Sequence, residues 1–183
     1  MPRVQFVEKI QEVKTMTKLV DDIRKFEESF EKEVLIGNKK LIAQATKELV
    51  ESNAAKGLSV GEQAPDFTLD DATGLSITFY EELKKGPVIL TFYRGGWCPY
   101  CNLELRAYQR VLKDIKAAGG QLIAISPQTP DSSLSTKEKN ELEFFVLSDT
   151  NGNVAEKYKL IFKLPDYQIE IYKQYGSDLT KHN

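Results

Sequence analysis

Six consecutive β-rich residues, Val88-Ile89-Leu90-Thr91-Phe92-Tyr93, run into the turn Arg94-Gly95-Gly96-Trp97. A continuous apolar run of this kind suggests a strand covered on both faces, as in the middle of a largely parallel sheet. A helical period follows from about Cys98 to Ala118, with Leu105, Tyr108, Leu112 and Ile115 on one face. Gly119-Gly120 closes it, and Leu122-Ile123-Ala124-Ile125 is a second buried strand. Strand, helix and strand in this order imply a right-handed parallel crossover, and so an α/β domain.

The residues around this unit extend the pattern. Ala64-Pro65-Asp66-Phe67-Thr68-Leu69 reads as a loop entering a short strand, Ser76 to Phe79 as a second strand, and Tyr80 to Leu83 as a helical turn. Asp131 to Asn140 reads as a helix and Phe144 to Leu147 as a strand. Asn151 to Tyr158 and Pro165 to Tyr175 read as helices. Residues 1–57 differ. Phe6, Ile10, Val13, Leu19, Ile23, Phe26, Phe30 and Val34 recur at three- and four-residue steps, which makes one apolar stripe on one helix or two. Gly37-Asn38 is expected to stop it, and Leu41, Ile42, Ala45 and Leu49 give another helix before Gly57. The chain therefore divides into a helical extension, 1–57, and an α/β domain, 58–183. The stripe must be buried either on its own domain or on a partner, a second copy included, and periodicity does not separate the two.

Charge excludes several functions. The chain has 25 Lys+Arg and 27 Asp+Glu in 183 residues, split +1 over residues 1–57 and −3 over the rest. Neither part has the basic excess of a nucleic-acid binder. No apolar run approaches the roughly 20 residues that span a bilayer. The start, Met1-Pro2-Arg3-Val4-Gln5, lacks the pattern of a secretory signal. The expectation is a cytoplasmic protein with no membrane and no nucleic-acid partner.

The two cysteines, Cys98 and Cys101, stand in Trp97-Cys98-Pro99-Tyr100-Cys101. They lie just after a strand and at the start of a helix. In an open α/β sheet, chemistry gathers at the carboxyl ends of the strands. A thiolate is the nucleophilic form of cysteine, and a helix N-terminus stabilises negative charge. Arg94 adds a positive charge nearby. A three-residue step places both sulfurs on one helix face, so one can resolve the other into a local disulfide. Pro99 lacks an N–H and suits the first helical turn. Helix geometry leads one to expect Cys98 to be the more exposed thiol. Trp97 reads as part of a hydrophobic collar beside the pair or as a partner contact. A structural zinc site needs about four ligands, and the chain offers only these cysteines and His182, a tail residue. No metal is expected, and no bound cofactor, since no phosphate-cradling glycine loop follows a strand.

Ala64-Pro65-Asp66-Phe67-Thr68-Leu69, together with Phe92-Tyr93-Arg94-Gly95-Gly96-Trp97-Cys98-Pro99-Tyr100-Cys101, resembles the alkyl hydroperoxide reductase/thiol-specific antioxidant (peroxiredoxin-like) superfamily, in its branch carrying a CxxC pair. The resemblance runs from about Leu58 onward, and the N-terminal helices also look like that branch. It implies a thioredoxin-like, peroxiredoxin-type fold: a central mixed sheet flanked by helices, here with the N-terminal extension. It also implies a thiol cycle in which a thiolate attacks a peroxide and a second thiol closes a disulfide. Laid on the peroxiredoxin pattern Pro-x-x-x-Thr-x-x-Cys, the attacking cysteine is Cys101. Cys98 then takes the Thr position, Arg94 the Pro position, and Glu104 matches the Glu that follows. Laid on the thioredoxin pattern Trp-Cys-x-x-Cys, Cys98 attacks and Cys101 resolves. Both orders stay open. Both families continue with a strand pair after the last crossover, and no such apolar pair follows Leu147. The expectation is that the C-terminal part of the fold is absent.

The resemblance implies an antioxidant oxidoreductase of cell redox homeostasis. It would reduce hydrogen peroxide or alkyl hydroperoxides through Cys98 and Cys101, with Arg94, Trp97, Pro99 and Glu104 in support. The partner would be an external dithiol such as a thioredoxin-type protein, and a homodimer is an open alternative. Two other functions remain: a thioredoxin-like thiol–disulfide oxidoreductase acting on proteins, and a non-enzymatic interaction module using the helical arm.

Overall fold

The computed structural model describes residues 18–32 and 34–179. Residues 18–32 form helix α1, followed by α2 (Ile36–Glu51), β1 (Thr68–Asp70), β2 (Ser76–Thr78), α3 (Phe79–Leu83) and β3 (Val88–Phe92). Then come α4 (Pro99–Ala117), β4 (Gln121–Ser126), α5 (Pro130–Lys139), β5 (Phe145–Ser148), α6 (Asn153–Lys157) and α7 (Asp166–Gln174). β3, β4 and β5 form a parallel sheet in that order. β1 and β2 pair as an antiparallel hairpin, joined to β5 by an antiparallel bridge from Asp71 to Leu147. The ensemble is mixed, as the sequence implied. Among the described residues, only helices α6 and α7 and a short helical turn follow β5.

Side chains alternate along β4 and divide the core into two layers. Leu122 and Ala124 join Leu105, Leu112, Phe144, Val146 and both cysteines. Ile123 and Ile125 join Phe67, Ile77, Phe79, Leu147, Val154 and Tyr158. In the second layer the rings of Phe67 and Phe79 stack at 5.1 Å. Asp66 holds that corner, its Oδ1 accepting the amides of Phe67 (2.9 Å) and Tyr80 (3.0 Å).

Two expectations change. The strand covered on both faces is β4, whose Leu122 to Ser126 are all buried, not β3. β3 lies at the edge of the described sheet, and Ile89 there is 40% exposed. A strand with a neighbour on one side only is covered only in part. Gly37-Asn38 also does not end the first helix. The break falls between residues 32 and 36, and Gly37 and Asn38 sit inside the first turn of α2. Tertiary contacts replace the local stop signal: the Leu35 amide donates to Tyr175 Oη (3.1 Å), and Asn38 Nδ2 donates to Gln174 Oε1 (3.1 Å).

Leu19, Ile23, Phe26 and Phe30 are half-buried on one face of α1, while Phe6, Ile10 and Val13 lie outside the described residues. That face packs on its own domain. Phe26 meets Tyr100 of α4 edge-on at 5.1 Å, Phe30 meets Tyr175 at 6.4 Å, and Asp22 pairs with Arg110 at 3.5 Å. Tyr167 Oη donates to Glu48 of α2 at 3.0 Å.

The loops before β3 and β4 touch where the parallel pair begins. Gly86 has φ +154°, and a β-carbon there would collide with the Gly119 carbonyl oxygen. Gly86→Ala should therefore cost about 2 kcal/mol or more, since a backbone oxygen cannot move aside cheaply. Urea unfolding measures it, and an unchanged midpoint would disprove the close approach.

Candidate active site

The parallel register aligns Phe92 with Ile125, so the segments leaving β3 and β4 run side by side. The Gly96 amide donates to Gln128 Oε1 at 2.8 Å, and Thr136 Oγ1 donates to the same oxygen at 3.2 Å. The Trp97 indole edge lies against Gly95, where any β-carbon would run into Nε1 and Cδ1. The Cys98 amide donates to the Gly95 carbonyl at 3.0 Å, which tightens the turn. Cys98 is then the N-cap of α4 and Pro99 its first residue. Proline fits because the first amides of a helix have no internal acceptor.

A buried relay of amides fixes this turn to the helix. Asn102 Nδ2 donates to the carbonyls of Gly96 (2.7 Å) and Cys98 (3.0 Å). Its Oδ1 accepts from Asn140 Nδ2 at 2.8 Å, and Asn140 Oδ1 accepts from Arg106 Nη1 at 3.0 Å. Gln128, Asn102 and Asn140 are all buried. Sequence reading passed over all three. Gln128 was findable, because it stands just past the carboxyl end of β4. Asn102 and Asn140 carry no such signal.

Both thiols are free and both are buried, Cys98 at 3% and Cys101 at 8% exposure. The expectation that Cys98 is the more exposed thus fails, because the Trp97 ring and the core close over it. The two sulfurs are nevertheless unequal. A hydrogen bond from the Cys101 thiol is the main cause that lowers the Cys98 pKa, to about 6. Amides of Cys101 and Tyr100 and the charge of Arg94 act in the same direction, against burial. The Cys101 thiol is pushed up by donating to Cys98, by burial and by the neighbouring negative charge. The direction is thus opposite for the two: Cys98 is lowered and Cys101 raised.

The other expected residues separate. The Arg94 guanidinium carbon lies 4.6 Å from the Trp97 ring centre and 5.1 Å from that of Tyr172. Trp97 packs against the core layer that holds both cysteines. Glu104 is exposed and interacts with Tyr108. Tyr172, far along the chain on α7, joins the site without any local sequence signal. Its ring centre is 5.6 Å from that of Trp97. Among the described residues no cluster of three His, Cys, Asp or Glu could hold a metal, and His182 lies outside them. No helix among them is long and apolar enough to cross a membrane.

Residues 60–175 match the AhpC/TSA family. The chain is 34% identical over 101 residues to a protein named putative peroxiredoxin bcp from Coxiella burnetii, covering 55% of this chain and 66% of that one. It is 32% identical over 101 residues to chloroplastic peroxiredoxin Q from Oryza sativa subsp. japonica, covering 55% of this chain and 46% of that protein. The chain thus spans about half to two thirds of the length of these relatives. The solved peroxidoxin BcpB from Mycobacterium tuberculosis aligns with a TM-score of 0.52 at 25% identity, over 58% of this chain and 66% of that one. A putative protein disulfide isomerase from Bacteroides thetaiotaomicron aligns with a TM-score of 0.50 at 25% identity, over 56% and 65%.

The relay around Asn102 makes a stability claim. Asn102→Ala leaves two carbonyls and the Asn140 amide short of a buried partner, so it should cost about 1–3 kcal/mol. Denaturant unfolding of the reduced protein reads this, and an unchanged midpoint would show that the relay holds nothing.

Proposed function

The chain belongs to the AhpC/TSA family, and on that premise we propose that it is a peroxiredoxin-like thiol oxidoreductase. It reduces hydrogen peroxide or alkyl hydroperoxides through a dithiol/disulfide cycle of Cys98 and Cys101. The observation that carries this reading is the unequal thiol pair: a lowered Cys98 held by a raised Cys101 at a helix N-terminus.

The chemistry follows from that inequality. The Cys98 thiolate attacks the outer oxygen of the peroxide and the O–O bond breaks. Cys98 becomes a sulfenic acid, and the departing alkoxide or hydroxide takes a proton to leave as alcohol or water. Cys101 then attacks the Cys98 sulfur. The S–S bond forms, the S–O bond breaks, and the hydroxyl leaves as water with the Cys101 proton. An external dithiol, such as a thioredoxin-type protein, reduces the disulfide and is itself oxidised. The attack order is that of the thioredoxin pattern, although the family is that of the peroxidases.

Burial supports a peroxide as the oxidant. A thiol at 3% exposure suits a small hydroperoxide better than a disulfide of another protein. The sequence Trp97-Cys98-Pro99-Tyr100-Cys101, with the thiolate on its first cysteine, favours protein disulfide exchange as the second reading. The relatives' names support the first. A reducing compartment such as the cytoplasm fits a pair that must return to the dithiol form.

Stopped-flow peroxide consumption by the reduced protein tests this. The thiolate exists on the alkaline side of the Cys98 pKa. The rate should therefore rise as the pH climbs through about 6 and level off above it. Cys98→Ser should abolish consumption. Cys101→Ala removes the hydrogen-bond donor and should move the inflection up toward the ordinary thiol range. A wild-type rate no better than free cysteine would overturn the reading. Insulin reduction without peroxide turnover would put disulfide exchange in its place.

A further inference from the structure

We propose that Tyr172 is a positioning residue: its ring adjoins that of Trp97, and the two together seat the Arg94 guanidinium and so hold that charge beside the Cys98–Cys101 pair. The proposal rests on Cys98 being the reactive thiolate.

Arg94 leaves β3 on a turn and carries a long, flexible side chain. Among the described residues no carboxylate pairs with it. Its buried Nη2 has no hydrogen-bond partner there either. What fixes it is aromatic: the Trp97 ring at 4.6 Å and the Tyr172 ring at 5.1 Å, two rings whose centres lie 5.6 Å from each other. A cation over a ring face is attracted by the ring quadrupole, more strongly where water is excluded. With one ring removed, rotamer entropy and hydration draw the guanidinium toward solvent.

Tyr172 is itself anchored. Gln168 Nε2 donates to its hydroxyl at 3.2 Å. α7 is seated by the helical extension, through Leu35 and Asn38 to Tyr175 Oη at 3.1 and 3.2 Å and through Tyr167 to Glu48. The extension thus reaches the thiols through α7. The charged and titratable groups facing Cys98 are Cys101 and Tyr100 on α4 and Arg94 in the turn. Tyr172 on α7 and Glu27 on α1 stand around Tyr100. Arg94 is the cation of that set, and its charge favours the thiolate on either sulfur.

The readout is the pH titration of thiolate absorbance and of iodoacetamide alkylation, in the reduced full chain. Tyr172→Phe keeps the ring and should leave the profile unchanged. Tyr172→Leu keeps apolar bulk but no ring face. It should raise the apparent thiol pKa by about one unit, an about fivefold loss of thiolate at the wild-type midpoint. In an Arg94→Met background, the Leu substitution should add nothing, because its route to the sulfur is gone. An unchanged profile in Tyr172→Leu, an equal shift in Tyr172→Phe, or an undiminished shift in the Arg94→Met background would each overturn the proposal. If Tyr172→Leu does not fold, Arg94→Met alone decides: an unchanged thiol pKa there leaves Tyr172 nothing to position. No peroxide is involved. A wild-type protein that fails to consume peroxide sinks the proposed function and leaves this inference standing, and the reverse holds as well.

Discussion

The parallel pairing of β3 with β4 is the constraint from which the site follows. Five aligned residue pairs, Val88 with Gln121 through Phe92 with Ile125, bring the two strands' carboxyl ends level. Only then can the Gly96 amide reach Gln128, and only then does the turn present Cys98 at the head of α4. Gly86 against Gly119 lets the loops at the other end approach closely enough to start the pair. The two glycine-rich turns of the sequence thus serve opposite ends of one crossover.

At the head of α4, local order becomes chemical inequality. Two cysteines three residues apart share one helix face and compete for one proton. Cys98 also sits against the first amides of the helix, where negative charge is stabilised. Cys101 lies one turn further along α4 and is pushed up by donating to Cys98. Burial by itself would raise both thiols. The split arises because one thiol donates to the other and the amides of Cys101 and Tyr100 favour the acceptor, while the charge of Arg94 favours the thiolate on either sulfur.

The helical extension bears on the same place. α1 covers Tyr100, one of the two residues between the cysteines, and α2 holds α7, whose Tyr172 lies on Arg94 and Trp97. The apolar stripe on α1 was legible as a surface needing cover, and the structure shows cover from α4 and α7 of its own domain. Where the helix breaks was misread. Gly37-Asn38 is a strong local stop, but hydrogen bonds from Leu35 and Asn38 to α7 outweigh it, and propensity is a weak prior against such contacts.

The sequence by itself determined the crossover, the order of the elements and the placing of a cysteine pair at a helix start. These depend on periodicity, glycine placement and the spacing of two residues, all of which are local. It did not determine that β4 rather than β3 is the buried strand, that Glu104 is exposed, or that Cys98 is the less exposed of the two thiols. It also gave no sign of Asn140, or of Tyr172 on the far helix. Each of those depends on which distant side chains meet at one point. Burial and electrostatics act over ångströms in space, so they are decided only when tertiary packing brings the chain together.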